Sequence, residues 1–136
     1  MQPKPIKWLC VLILADFGIV MGVLSVNGLT QKLEPYLWLL FGIISAYVLV
    51  KKVRYRLFFH SVLLGVLWAV VNALIQVLFF DSFLANNPAD ALAFEELTVI
   101  EPKIFVLLFS PIYGLLMGIV IGVLSLLLKK ILSPKA

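Results

Sequence analysis

The sequence has very few of the residues that build metal and redox sites. It contains one cysteine, Cys10, and one histidine, His60. A disulfide within the chain is therefore excluded, and so is a metal site made of several cysteine or histidine ligands. The motifs GxSxG and HExxH and glycine-rich phosphate loops are also missing. We therefore expect no metal, no cofactor and no enzymatic activity.

Charge is also scarce. Only 13% of the residues are charged, whereas 63% are hydrophobic, and the mean hydropathy is +1.14. Soluble domains are about 25% charged and about 45–50% apolar. A chain of 136 residues could not hide so much apolar surface from water. We therefore expect a single integral membrane domain over residues 1–136, with the lipid bilayer as its surroundings.

The hydrophobic residues form four runs, at about 6–26, 35–50, 57–80 and 104–128. A helix needs about 20 residues to cross roughly 30 Å of hydrocarbon. The second run is short, but it gains length if Pro35 lies in the first helical turn and if Lys51 and Lys52 extend towards the interface. Each run has small or polar residues on one side and large apolar residues on the other. The sequence therefore predicts an all-α membrane protein, an up-down bundle of four transmembrane helices.

Acidic residues are missing from three segments that carry most of the basic ones. These segments are the N-terminus, the loop at 51–56 and the C-terminal tail, and their nine basic residues are Lys4, Lys7, Lys51, Lys52, Arg54, Arg56, Lys129, Lys130 and Lys135. The opposite side has two, Lys32 and Lys103. The positive-inside rule then predicts both termini in the cytoplasm of a multi-pass protein, in the plasma (bacterial inner) membrane. The net charge of +4 is explained by this orientation, and we expect no nucleic-acid partner.

The only long connection, residues 81–103, lies on the predicted outer side and is acidic. Its stretch NNPADALAFEEL predicts a short helix with Asn87 as N-cap, Pro88 in the first position and Asp90 in the first turn. The segment could be a lid or a docking surface. A solvated connector at the lipid headgroups is the interpretation we favour.

Glycines at a spacing of four mark the fourth run. Gly114, Gly118 and Gly122 lie in register, and Gly18 and Gly22 repeat the spacing in the first run. Small residues let helix backbones approach closely in lipid, so these five glycines are predicted packing positions. The contact could form within one chain or between copies. Pro111 lies inside the fourth run and predicts a kink, because it leaves the carbonyl four residues earlier without a donor.

Three residues within the runs carry a carboxyl group or a side-chain amide. Asn72 and Gln76 are four residues apart, so they share one face of the third helix and should face other helices. Asp16 stands in VLILADFGIVMG, on a side of the first helix away from Gly18 and Gly22. An ionised carboxylate at mid-membrane costs about 2.5–3.5 kcal/mol on insertion scales, and no basic residue matches its depth. We expect a neutral acid that donates a hydrogen bond. Asp16, Asn72 and Gln76 form the candidate intramembrane polar site.

Three roles for Asp16 stay open at this point. It could hold helix register by a hydrogen bond within the bundle, meet a partner protein, or couple ion movement. The first two favour a small membrane subunit or scaffold that acts through helix–helix contacts, with another copy or another membrane protein as partner. The alternative is a small proton- or cation-coupled transporter that uses Asp16.

Overall fold

A computed structural model of the chain describes residues 6–97 and 99–133, and this part is helical. Four of the helices are long and apolar enough to cross a membrane. The predicted all-helical fold with four membrane-length apolar helices is therefore confirmed; the up-down order and the orientation stay predictions. The helices are α1 (Trp8–Val26), α2 (Glu34–Lys52), α3 (Leu57–Leu78), α4 (Phe80–Asn86), α5 (Pro88–Glu95) and α6 (Pro102–Leu132), with a short 3-10 turn at Gln31–Leu33 before α2.

Helix α3 is the centre of the bundle. It packs along α6 and along α1, whereas α2 packs mainly against α6. Trp68 of α3 is fully buried, and its indole N–H donates to the carbonyl oxygen of Leu14 in α1 at 2.7 Å. Because a buried indole N–H needs an acceptor, this bond fixes the height of α1 against α3. Phe17 of α1 stacks on Phe41 of α2, with 4.4 Å between ring centroids.

A glycine turn ends α1. Gly28 has φ +68°, which a residue without a Cβ adopts at little cost. The N–H of Gly28 donates to the Ser25 carbonyl, and the N–H of Leu29 donates to the Leu24 carbonyl, both at 2.9 Å. This pair of bonds is the Schellman pattern, which satisfies carbonyls left free at a helix end.

The segment after α3 differs from the prediction. The third helix was predicted over residues 57–80, but it is shorter. Helix α3 ends at Leu78, and a separate helix, α4, begins at Phe80. The predicted short helix exists as α5, and Pro88 stands in its first turn. Asn87 is the N-cap residue of α5, as predicted, but its side chain makes no capping bond. Its Nδ2 instead donates to the carbonyl oxygens of Ser25 and Phe83, each at 2.8 Å, which ties this segment to the end of α1.

Helix α6 runs through Pro111 as one element. Proline lacks the N–H that would bond to the Leu107 carbonyl. The hydroxyl of Ser110 donates to that same carbonyl oxygen at 3.0 Å. The freed acceptor is therefore satisfied locally, and the predicted kink at Pro111 stays a prediction.

Candidate functional site

A cavity among the described residues lies towards one end of the bundle. We call this the acidic end, because it carries α4, α5 and most of the carboxylates; the opposite end, with the 51–56 loop, is the basic end. The cavity measures about 830 Å³, within the range of about 300–1,000 Å³ typical of small-molecule sites. Aromatic side chains dominate its wall: Trp38, Trp68, Phe83, Phe94, Phe105, Phe109 and Tyr113.

The packing of α2 explains why the bundle opens there. The buried residues of α2 are Gly42, Ser45, Ala46 and Leu49, so none lies in its first two turns, at the acidic end. This part of α2 contacts α3 through the ring of Trp38, which lies 5.4 Å from that of Trp68, and a gap remains between the helices. The cavity fills the resulting gap between α2, α3 and α6, and α5 forms a further wall.

Polar groups from five helices line the cavity, and some of them are already bonded. The Gln76 Nε2 donates to the hydroxyl oxygen of Ser25 at 2.9 Å. The Trp38 indole N–H donates to Glu34 Oε1 at 3.2 Å. By contrast, the Oδ1 atom of Asn72 is buried and has no hydrogen-bond partner among the described residues. An acceptor of this kind is costly to leave unpaired.

The cavity also carries uncompensated negative charge. Glu34 begins α2 and Asp90 lies on α5; both line the cavity, and their charges repel one another. Within residues 6–97 and 99–133, neither carboxylate has a lysine or arginine in ion-pair contact. Lys103 is engaged elsewhere, with its Nζ 5.6 Å from the ring centre of Phe80. Partial burial raises the pKa of the Asp90 carboxyl above its ordinary value.

The structure brings two of the three predicted polar residues together and separates the third. Asn72 and Gln76 both line the cavity. Asp16 does not; it is exposed on the other side of α1, with Leu12 and Val20 beside it at 54% and 43% exposure. In the part of the chain that the structure describes, Asp16 has no hydrogen bond or ion pair. Asp16, Asn72 and Gln76 therefore do not form one polar site. Asn72 and Gln76 belong to the cavity, and Asp16 belongs to an exposed face of α1.

The predicted glycine positions lie at helix contacts within one chain. A Cβ at Gly114 would lie 2.6 Å from Val66 Cα, and one at Gly118 would lie 2.6 Å from Val62 Cα. Gly18 faces the Trp68 backbone in the same way, at 2.9 Å. The remaining two glycines contact side chains: Gly22 faces Ile75 and Gly122 faces Phe58. Their α3 counterpart Gly65, which lies against Gly118 and Gly114, was not among the predicted packing positions.

Sequence reasoning missed the carboxylates of the cavity. Glu34 and Asp90 lie far apart in the chain, and of the two only Asp90 was given a place in the sequence prediction, in the first turn of a short helix. Glu34 and Trp38 are four residues apart, and residues at that spacing share a helix face. This spacing indicates that the two side chains lie together, as the structure shows. The seven aromatic residues come from α2 to α6, so only the folded chain assembles them.

No protein-family model, curated protein or solved structure matches this chain. Its four long apolar helices indicate a membrane protein.

Proposed function

We propose that the protein is a subunit of a membrane assembly and acts through helix–helix contacts, with a second copy covering the face of α1 that carries Asp16. In this proposal it is a multi-pass protein of the plasma membrane, of the bacterial inner-membrane type, with both termini in the cytoplasm. The basic end then faces the cytoplasm. We propose no enzymatic role.

The observation that carries the proposal is the exposure of Asp16 on an apolar face. It lies eight residues after Trp8, about 12 Å along the helix at 1.5 Å per residue. A carboxyl group there meets hydrocarbon in a single copy, and a polar group without a partner in lipid is costly. Contact with another helix removes that cost. Leu12 and Val20, which lie one turn on either side of Asp16, supply the apolar surroundings of such a contact.

Orientation and hydrogen-bond chemistry together favour a second copy. The positive-inside bias gives all copies the same direction, so α1 of two neighbouring copies runs in parallel. A twofold axis along the membrane normal then places Asp16 of both copies at one depth. A protonated carboxyl has one donor and an acceptor oxygen, so two such groups satisfy each other.

Dimer formation in bilayers tests the proposal. Copies labelled with a donor or an acceptor fluorophore are reconstituted together, and energy transfer is followed as the ratio of protein to lipid changes. We expect wild type to transfer energy and Asp16→Leu to lose the transfer, whereas Asp16→Asn retains it because an amide also carries a donor and an acceptor. Asp81→Leu, which removes an exposed carboxylate of α4, is the matched control and should behave like wild type. A monomeric wild type at every ratio contradicts the proposal.

The alternative function is a proton- or cation-coupled transporter that uses Asp16. It has less support from the geometry, because the cavity is the natural place for a transported ion and Asp16 does not line it. Helix α1 contributes only Ser25 to the wall. We therefore favour the subunit.

A further inference from the structure

We propose that the cavity at the acidic end binds an amphipathic amine in its ammonium form. The N–H groups of the ammonium would bond to Glu34 and Asp90, and the apolar body would lie among the aromatic side chains. This ligand site is separate from the Asp16 face of α1 and does not depend on dimer formation.

The shape of the cavity indicates an elongated ligand. Its lining on α3 extends from Gln76 to Gly65, which corresponds to about 16 Å at 1.5 Å per residue. The carboxylates of Glu34 and Asp90 come from the start of α2 and from α5, at the acidic end. Trp68 and Gly65 lie at the other limit of the cavity, deeper in the bundle. This deep limit is apolar, whereas both carboxylates lie at the acidic end, together with Phe83, Phe94 and Phe105. An amphipathic molecule with its charged group at the acidic end fits this arrangement.

The charge of the cavity indicates a cation. Two carboxylates that repel one another share one cavity with no basic residue in ion-pair contact among those described. A ligand cation between them would replace repulsion with two attractions. The aromatic walls add to this, because the face of a tryptophan or tyrosine ring attracts a cation.

The hydrogen-bonding capacity of the wall indicates a cation with N–H groups. Both carboxylates only accept hydrogen bonds when ionised. Their oxygen atoms, apart from the one that accepts from Trp38, therefore need donors from a ligand or from water. A primary or secondary ammonium supplies donors for these atoms, whereas a quaternary ammonium has none.

Energy transfer from tryptophan tests the site directly. Trp38 and Trp68 line the cavity, and the third tryptophan of the chain, Trp8, is removed by Trp8→Phe so that emission reports only the cavity. The probe is dansylcadaverine, a primary amine whose dansyl group absorbs tryptophan emission. It is compared with its N-acetyl derivative, which lacks the charge, and with its trimethylammonium derivative, which lacks the N–H groups. The protein is held in nanodiscs of an uncharged lipid.

We expect saturable transfer with the amine and weaker binding of both derivatives. The variant Glu34→Gln with Asp90→Asn should raise the Kd of the amine by about tenfold or more, equivalent to about 1.4 kcal/mol. Asp81→Asn, which removes an acidic residue of the same end outside the cavity, should leave the Kd unchanged. Circular dichroism and size-exclusion chromatography confirm that each variant is folded.

Three results would overturn the proposal. The first is the absence of saturable transfer with the amine in folded wild type. The second is equal affinity for the amine and its N-acetyl derivative, which would mean that the cavity takes apolar molecules such as lipid chains. The third is equal affinity for the amine and its trimethylammonium derivative, which would exclude the N–H contacts.

Discussion

Most polar side chains inside the bundle are bonded to main-chain carbonyl groups. Trp68 donates to Leu14, Ser110 to Leu107 and Asn87 to Ser25. A helical carbonyl oxygen has a second lone pair, so it accepts these bonds without giving up its helical donor. His60 follows the same pattern, since its Nδ1 lies 2.8 Å from the Arg56 carbonyl oxygen. Trp68 and Asn87 therefore fix helix positions through main-chain acceptors of another helix, in addition to side-chain pairs such as Gln76 with Ser25.

Asp90 gives a pH dependence at the scale of one residue. Burial raises the pKa of its carboxyl in the folded protein above the ordinary value of about 3.8. The folded state therefore holds the proton more tightly than the unfolded state. The free energy of unfolding should be highest below the ordinary pKa, fall as pH rises through the folded-state pKa, and stay level above it.

The unfolding midpoint, measured by circular dichroism in detergent across the acidic range, checks this dependence. Asp90→Asn should reduce the fall in the midpoint, because an amide does not titrate. Asp81→Asn should retain the wild-type dependence, since Asp81 lies outside the cavity. An Asp90→Asn profile parallel to that of wild type would show that the fall arises elsewhere.

At the scale of the helices, stability rests on the close approach of α3 to α6. Gly65 on α3 meets Gly114 and Gly118 on α6, so the two backbones approach without side chains between them. Lipid gives no hydrophobic drive for helix association, and close van der Waals packing takes its place. Helix α2 uses a looser contact, since a Cβ at Gly42 would lie 3.7 Å from Ile121 Cγ1.

Two alanine substitutions compare these contacts. Gly118→Ala places a Cβ 2.6 Å from Val62 Cα, so α6 must move away from α3, at a cost of about 1–3 kcal/mol. Gly42→Ala adds the same methyl group at an ordinary contact distance, and alanine favours a helix over glycine by about 0.5–1 kcal/mol. We expect a lower unfolding midpoint for Gly118→Ala and an unchanged or higher one for Gly42→Ala. Equal midpoints for the two variants would argue against the close α3–α6 contact.

At the scale of the whole molecule, the sequence predicts the features that are formed by consecutive residues, namely the long apolar helices. Each long helix corresponds to one apolar run, so four helices and their approximate limits were predictable. The break between Leu78 and Phe80 was not, because apolar residues continue across it. The cavity was not predictable for a different reason. Its two carboxylates and its aromatic wall come from separate helices, which only the folded chain brings together. The gap at the acidic end depends on which part of α2 is buried against the other helices. Hydrophobic periodicity shows the apolar face of a helix and does not show which part of its length is buried.

Orientation is a prediction for the whole molecule as well. In a Cys10→Ser background, cysteines introduced at exposed positions are labelled in intact cells with a maleimide that does not cross membranes. We expect Ser82→Cys, at the acidic end, to be labelled in intact cells, and Arg54→Cys, at the basic end, to be labelled only after the membrane is made permeable. The reverse pattern would place the termini outside the cytoplasm.

The packing of α2 against α6 has a consequence for biogenesis. Helix α1 gains its main partner, α3, after only one intervening helix, whereas the main partner of α2 is α6, which follows α3, α4 and α5. When synthesis proceeds from the N-terminus, α1 and α3 can associate while α2 still lacks its principal neighbour. Helix α2 must therefore stay in lipid or against the insertion machinery until α6 arrives, and the cavity cannot form before α6 has been synthesised.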